Sequence, residues 1–442
     1  MIVRGGPGLS TVNTEAATLL NGDRAAAVRL ASKLLKPLNG NFVERPWGGM
    51  RMAEFKRISQ PAVRTGFGLG EAFEIAADDS DDEARQYPSR VRFADGSELT
   101  LPSLLATHAD ALLGPAFAQR YGARFPLLPK TLDIAELLSV QGHPEGNTEV
   151  YVIIDADAGA TIRLGFKTDI DAEITKARLL AGRHEQQQLL QLFGPAIDPN
   201  ALQRHLQPWF AQRGAAIGTV EPALRPMLGV GARWPDVVRI LGALHALYWD
   251  VLSLMNELPV AAGQVIHNAN PPRIAAARGK APSAEVHALG NPERREILAL
   301  EIRRPGPTFR AWDNVRFPLR EIDVSGAIDA LNLRRTDPSE FIVEPEPVPG
   351  RRGVTRSVDS EYFRLEHLQP TVANGAVDVP AEGPHSLHAL RGAVTVRSAG
   401  GAVAGQLARG ESALVPIGVG AYRVSADTPS AELVKVSLPD AR

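Results

Sequence analysis

The sequence contains no cysteine. That excludes a disulfide framework, a thiolate nucleophile, a Cys-ligated zinc and an iron–sulfur cluster. Any metal is left to His, carboxylate or amide ligands. An excess of charge of either sign is also missing. Lys plus Arg is 48 and Asp plus Glu is 50, a formal net charge of -2, so there is no broad basic field for nucleic acid or an anionic membrane. Lysine itself is scarce, with eight residues, and arginine carries the basic side. No stretch reads as the roughly 20 apolar residues of a membrane span. The most apolar helical segment, near 235–258, is interrupted by Arg239, His245, Asp250 and Glu257. The opening residues, Met1 to Pro7, break before the apolar core of a signal peptide forms. A cytoplasmic protein is the expectation.

What is present is globular in composition, 22% charged and 44% apolar over 442 residues. That length suggests roughly two to four domains. Residues 14–36 read as helical, with Asn21 or Asp23 as cap and Ala27, Leu30, Leu34 and Leu35 on one face. Residues 1–40 thus form an N-terminal helical extension, starting with a flexible Gly5-Gly6-Pro7-Gly8. Residues 41–169 are strand-rich, with an Asp95-Gly96 hairpin turn and a short helix opened by Pro102. From 170 to 258 the apolar residues recur at helical spacing, and strand signals resume on either side, so this is a helical insertion in a β-unit. Residues 259–336 resume the β-pattern, β-like from Val260 to His287, with a strand at 297–302 and a short helix at 327–332. A Pro- and Glu-rich linker spans 337–357. Short glycine-punctuated strands over 358–442 suggest a sandwich or jelly roll.

The most informative segment is Leu138-Ser139-Val140-Gln141-Gly142-His143-Pro144-Glu145-Gly146-Asn147-Thr148-Glu149. On a strand, Gln141 and His143 share a face because the side-chain period is two. Pro144 ends the strand, Gly146 permits a tight return, and Glu149 opens the next strand. An amide oxygen, an imidazole and a carboxylate can thereby converge. A second imidazole would complete a mixed N/O site suited to Zn²⁺ or another divalent first-row metal. His287 and His267 compete for that place. His385 and His388, three apart near Glu382, lack the rest of such a pattern and read as structural.

Several segments, in order, resemble the type I phosphomannose isomerases of the cupin superfamily. They are Pro46-Trp47-Gly48-Gly49, Gly70-Glu71-Ala72-Phe73-Glu74-Ile75, Phe125-Pro126-Leu127-Leu128-Pro129-Lys130 leading into Leu138 to Pro144, Ala284-Glu285-Val286-His287-Ala288, and Thr308-Phe309-Arg310-Ala311-Trp312-Asp313-Asn314. The resemblance implies a mainly β bicupin fold: a catalytic cupin at 41–169 and 259–336, an inserted helical cap, and a cupin-like C-terminal domain. It implies one Zn²⁺ per chain on Gln141, His143, Glu149 and His287, though Mn²⁺, Fe²⁺ and Co²⁺ also suit such ligands. Arg310 matches the family's active-site arginine, Lys130 a lysine near the pocket, and Arg316 and Arg320 the basic residues that face a substrate phosphate. Trp47 lies in the pocket wall or the core. The implied reaction interconverts mannose 6-phosphate and fructose 6-phosphate through an enediol. Glu301 is the candidate general base.

The departures are specific. Where the family often has Lys two residues before the ligand Glu, this chain has Asn147; the Asp after His-Pro is Glu145; and the loop from His143 to Glu149 is short. Isomerisation of another phosphorylated sugar, such as glucose 6-phosphate, and a non-catalytic sugar-phosphate-binding cupin are the two other readings these departures leave.

Overall fold

The computed structural model describes residues 14–59 and 66–439. Two short helices begin it, Glu15–Leu20 and Arg24–Ala31. Each is started by a side-chain cap: Thr14 Oγ1 accepts from Ala17 N at 3.1 Å and Asp23 Oδ1 from Ala26 N at 2.9 Å. The second helix stops at Ala31, five residues before the expected end at Lys36. Leu34 and Leu35 are extended instead: Leu34 N donates to Ala404 O, and Leu35 and Leu414 exchange both backbone hydrogen bonds at 2.9 Å. Tertiary pairing has overridden the helical spacing. The residues of the flexible start, 5–8, lie outside the described residues.

The fold is mainly β with helices. The first β-unit contains, in chain order, β1 (Phe42–Gly49), β2 (Leu69–Phe73), the hairpin β3 (Arg90–Arg92) and β4 (Glu98–Thr100), β5 (Lys130–Ile134), β6 (Val140–Gly142), β7 (Glu149–Ala156) and β8 (Thr161–Phe166). It continues with β9 (Met255–Pro259), β10 (Val265–Asn268), β11 (His287–Ala288), β12 (Ile297–Arg303), β13 (Phe309–Trp312) and β14 (Ile342–Val343). A seven-stranded sheet has the order β1-β2-β5-β12-β7-β10-β14 and a five-stranded sheet the order β13-β6-β11-β8-β9. Leu132, Ile153 and Ala299 of the first meet Ile162, Leu164 and Leu258 of the second in one buried cluster, so the two sheets pack face to face. The segment Pro272–Arg278, expected to be β-like, is a helix. Proline at its start, an alanine run and Gly279 in the left-handed conformation just after it are ordinary helix signals.

The helices between β8 and β9 include Ala172–Phe193, Pro199–Phe210 and Trp234–Leu254. The last is long and apolar enough to cross a membrane by length and composition, contrary to the reading of the sequence. Here its stripe of Val237, Leu241, Leu244, Tyr248 and Val251 is buried in the core, while Arg239 pairs with Glu185 and Asp250 with Arg178. The helix Ala172–Phe193 reaches the β-unit through Gly182. A Cβ there would lie 3.0 Å from the Trp312 ring and closer still to Leu247, so only glycine permits that approach.

The second β-unit comprises β15 (Glu346–Pro347), β16 (Val354–Asp359), β17 (Arg364–Leu368), β18 (Val377–Val379), β19 (His385–Arg391), β20 (Ala393–Ser398), β21 (Val403–Ala408), β22 (Ser412–Val415), β23 (Tyr422–Ala426) and β24 (Glu432–Ser437). They form a six-stranded sheet, β15-β16-β17-β24-β19-β22, and a four-stranded sheet, β18-β23-β20-β21. Leu387, Leu433, Val394 and Val424 fill the space between them. Val434 and Val436, on the other face of β24, join Val150, Val152 and Leu300 of the seven-stranded sheet in the cluster that binds the two units together. Within 337–357, β14 pairs with β10 of the first unit and β15 with β16 of the second.

A carboxyl pair, Asp133 buried and Glu296 half-buried, sits where β1 turns into the helix Arg51–Phe55. Asp133 Oδ2 accepts from Met52 N at 2.5 Å and Glu296 Oε1 from Arg51 N at 3.2 Å. Burial, then the adjacent Glu296 carboxyl, pushes Asp133 up to about 8. An unfolded aspartate titrates near ~4, so the folded state holds the extra proton between those values and stability falls as pH rises through that window. Asp133→Asn, which can donate to Glu296 without a proton, is expected to stabilise the protein at pH ~8 by on the order of 1–3 kcal/mol and by little at pH ~4. Urea unfolding at the two pH values checks this; equal differences at both would refute the shared proton.

Candidate active site

The site lies between two rows of side chains, one on each sheet of the first β-unit. Directly paired residues of antiparallel strands project to the same face. Across the seven-stranded sheet the register aligns Phe73 with Lys130, Lys130 with Glu301, Glu301 with Tyr151, Arg303 with Glu149, and Glu149 with Asn268. Across the five-stranded sheet it aligns Arg310 with Gln141 and Gln141 with His287. His143 follows immediately after β6. The tight return at 144–148 has Asn147 N donating to Pro144 O and Gly146 at φ +75°, and it delivers Glu149 opposite His143.

Glu149 Oε1 lies 2.7 Å from His143 Nε2, and Glu149 Oε2 lies 3.3 Å from His287 Nε2. All three residues are buried, and their ligand atoms lie within 4.8 Å of one another. His143 Nε2 and Glu149 Oε1 have no hydrogen-bond partner. Backbone carbonyls set the ring tautomers. His143 Nδ1 is 3.2 Å from Pro307 O, and His287 Nδ1 is 2.8 Å from Glu285 O and 3.1 Å from Asn268 Nδ2; with the carbonyl as the shorter contact, each Nδ1–H donates outward in the neutral ring and leaves the Nε2 lone pair facing inward. Three buried acceptors facing one another repel unless a cation lies among them, so these residues fit a divalent metal. Gln141 Nε2 is 3.2 Å from His287 Nε2, while Gln141 Oε1 accepts from Ser139 Oγ at 2.7 Å. A half-turn of the amide turns its oxygen inward and leaves Nε2 to donate to Ser139 Oγ. His267 does not belong to the cluster: it packs edge-on to Phe363, and burial lowers it to about 4.

The surrounding charges decide the protonation states. Burial alone would raise Glu149, but positive charge on the two imidazoles, when they are protonated, and the hydrogen bond from Tyr151 hold it well below the usual carboxylate range. Burial and the Glu149 charge push Glu301 up to about 8, against the pull of Lys130 and Arg303. Lys130 Nζ lies 2.6 Å from Glu83, 3.8 Å from Glu71 and 4.0 Å from Glu301, over the Phe73 ring. Burial works against its charge, and those carboxylates outweigh it, so its pKa is raised. Arg310 is different. Its buried Nε has no partner, and it makes no ion pair among the described residues. It lines the same pocket as His143 and Glu301. Arg316 pairs with Asp313 at 3.0 Å and is buried; Arg320 lies 3.5 Å from Asp313 and is partly exposed. The helical insertion holds their loop, with Gln186 Nε2 donating to Asn314 O at 3.0 Å and Phe317 N donating to Gln203 Oε1 at 2.7 Å. Trp47 is buried in the core and also lines the pocket.

Asn147 is turned away from the pocket: its Nδ2 donates to Arg304 O at 3.0 Å and its Oδ1 accepts from Arg304 N at 3.3 Å. It pins the 304–306 turn rather than moving a proton. The pocket also contains Arg45, paired with Glu71 at 3.1 Å, and Arg303, buried beside Glu83 at 3.3 Å. Arg303 had a signal, since it lies two residues after Glu301 on one strand. Glu83 had none, because its helix reaches the pocket only through tertiary packing.

Residues 35–160 match the family model described as phosphomannose isomerase type I, catalytic domain. The resemblance to type I phosphomannose isomerases holds. The chain is 34% identical over 146 residues to mannose-6-phosphate isomerase ManA of Bacillus subtilis (strain 168), a match that covers 30% of this chain and 41% of that protein. The chain thus spans about two fifths of that curated relative's length. The crystal structure of the mannose 6-phosphate isomerase from Bacillus subtilis aligns with a TM-score of 0.60 at 18% identity, over 92% of this chain and 99% of that one. A mannose 6-phosphate isomerase bound with zinc and yttrium aligns with a TM-score of 0.55 at 15% identity, over 92% and 98%. At these identities the likeness is one of fold.

Tyr151 donates to Glu149 Oε2 and accepts from Asn268 Nδ2 at 3.2 Å. It therefore fixes the carboxylate that faces both imidazoles. Tyr151→Phe is expected to weaken divalent-metal affinity about 10- to 100-fold, read by competition with a chromophoric chelator. Unchanged affinity would show that the carboxylate is oriented without it.

Proposed function

We propose that this chain is a metal-dependent aldose–ketose isomerase that interconverts mannose 6-phosphate and fructose 6-phosphate. The observation that carries the reading is the pair of facing rows: a buried His143–Glu149–His287 cluster, the buried Glu301 in the same row as Glu149, and Arg310, which has no ion pair among the described residues, beside them. Gln141, His143, Glu149 and His287 are the proposed metal ligands, and Zn²⁺ suits them, as do other divalent first-row ions. When bound, the ion supplies Lewis-acid polarisation of the sugar oxygens on the two reacting carbons.

The chain's own residues do the rest. Glu301, as carboxylate, removes the proton from C2 of the aldose and, as carboxylic acid, returns it to C1, while the hydroxyl proton of O2 passes to O1, so no net proton is gained or lost. Lys130, held by three carboxylates, keeps Glu301 in place and restrains its rise in pKa. Arg310 stabilises the negative charge that develops on the enediol oxygens. Arg320 and Arg316 take the phosphate and supply orienting energy away from the reacting carbons.

The proposed architecture is two jelly-roll (cupin) barrels. The catalytic barrel comprises 41–169 and 259–336, the helical insertion at 170–258 caps it by fixing the Asp313 to Arg320 loop, and 358–442 forms the second barrel after the 337–357 connection. A phosphorylated, membrane-impermeant substrate fits a cytoplasmic setting. The position of Asn147, which is committed to Arg304, keeps one other reading: a barrel that binds sugar phosphates without turning them over.

A coupled assay of the purified chain against mannose, glucose and fructose 6-phosphates, with and without chelator, tests these readings. Turnover of mannose 6-phosphate that a chelator abolishes and Zn²⁺ restores is expected. Turnover of glucose 6-phosphate in preference would change the substrate. Bound metal with no turnover of any of the three would favour the binding protein.

A further inference from the structure

Strand β1 leaves its ladder in mid-course. Glu44 and Gly49 both register with Leu69 of β2, so the residues between them bulge out, and Gly48 registers instead with Ile134 of β5. Bulges re-aim side chains. This one brings Arg45 and Trp47 to the wall of the substrate pocket. Backbone hydrogen bonds pin it on both sides: Arg45 N donates to Gly68 O at 3.1 Å, and Ala135 N donates to Trp47 O at 2.8 Å. Gly70 makes room for it. A Cβ there would lie 2.6 Å from Arg45 Cβ and 2.9 Å from the Trp47 ring, so only glycine permits the approach.

Arg45 is the outer end of a charged row. Lys130 Nζ lies 4.0 Å from Glu301 and 3.8 Å from Glu71, and Glu71 Oε1 lies 3.1 Å from Arg45 Nε. The row thus leads from the proposed base to the edge strand of its sheet. On the facing sheet β13 is also an edge strand; it carries Arg310 and runs on into Arg316 and Arg320. All four arginines line the one pocket. Burial, then the like charges of Arg316, Arg310 and Arg45, lower Arg320 against the pull of Asp313, so Arg45 and Arg320 are near enough to repel. Glu71 and Asp313 are the only ion-pair partners of these four arginines among the described residues. A phosphate dianion supplies the negative charge that is lacking. Arg45 has donors to spare. Glu71 takes its Nε and Nη2, at 3.1 and 3.3 Å, and nothing takes Nη1 among the described residues.

We propose that Arg45 binds the phosphate on C6 of the sugar through Nη1, across the pocket from Arg320, while C1 and C2 lie at the His143–Glu149–His287 cluster. The proposal rests on the isomerase reading for its substrate. If Arg45 served only to hold Glu71, and through it Lys130, loss of either partner would have the same effect. Contact with the phosphate predicts opposite effects. The probe is inorganic phosphate, titrated calorimetrically at constant ionic strength into the purified chain. Arg45→Met should weaken its binding about tenfold or more. Arg45→Lys, which keeps the charge but loses the planar fork, should weaken it less. Glu71→Gln, which frees the guanidinium, should leave it as tight or tighter. In the coupled assay Arg45→Met should raise KM for mannose 6-phosphate by a similar factor, with kcat within about threefold of the parent. If Arg45→Met does not fold, Arg45→Lys against Glu71→Gln gives the same contrast of sign. No phosphate binding by the parent, unchanged affinity in the Arg45 variants, or equal losses in the Arg45 and Glu71 variants overturns the proposal. A parent that turns over none of the sugar phosphates removes the isomerase reading, and the phosphate titration still decides on Arg45.

Discussion

Glu149→Ala is expected to yield a folded protein that retains no divalent ion after dialysis and loses turnover by about 10³-fold or more. Glu149 is the single carboxylate among the buried ligand atoms, and it contacts both imidazoles. Its removal leaves a neutral set, two imidazoles and an amide, so most of the Coulombic attraction for a dication is lost in a site where water screens little. It also removes the acceptor of the Tyr151 hydroxyl. Metal analysis after dialysis and the coupled assay read the two effects separately. A variant that keeps a full complement of metal would place the ion elsewhere in the chain.

Glu301→Gln is expected to lower kcat by about 10²–10⁴ while metal content stays full. The amide is isosteric and keeps the packing against Lys130, so the loss isolates proton transfer. The pH profile carries the same information. Burial and the Glu149 charge raise Glu301 to about 8 in the protein alone, and positive charge at the ligand cluster would draw it back towards neutrality. As a base it must be ionised, so kcat/KM should rise with pH through its pKa and level off above it. Near-normal turnover of Glu301→Gln, or an unaltered pH profile, would assign the proton to another group.

The approach of His143 and Glu149 was readable because it depends on short-range geometry. Gln141 and His143 share a strand face, and a six-residue step bounded by proline and glycine returns Glu149 to them; the structure has that arrangement. For the fourth residue the sequence favoured His287 over His267 on its flanking residues alone, because the choice depends on which strand lies beside β6. Register resolves it: His287 pairs with Gln141, whereas His267 pairs with Val150 and packs against Phe363. Charge neutralisation was not readable. Lys130 looks like a free cation in the sequence, yet Glu83, Glu71 and Glu301 arrive from three other elements to surround it. The two errors in secondary structure have different causes. The helix Pro272–Arg278 carried adequate local signals that the flanking β-pattern obscured. At Leu34 and Leu35 the local signal was genuine and lost to the remote strand partners Ala404 and Leu414.

That last contact bears on how the chain acquires its structure. Leu35 and Leu414 lie far apart in sequence, so the mutual hydrogen bonds between them close a very long loop. Such a contact adds to contact order and forms late. The N-terminal helices dock on the helix Leu101–Leu112 of the first β-unit, where His108 Nε2 lies 2.7 Å from Leu19 O, so it is the extended Leu34–Leu35 segment that awaits the second β-unit. That segment is then among the last parts to be secured. It acts as a clasp that closes only on a finished molecule.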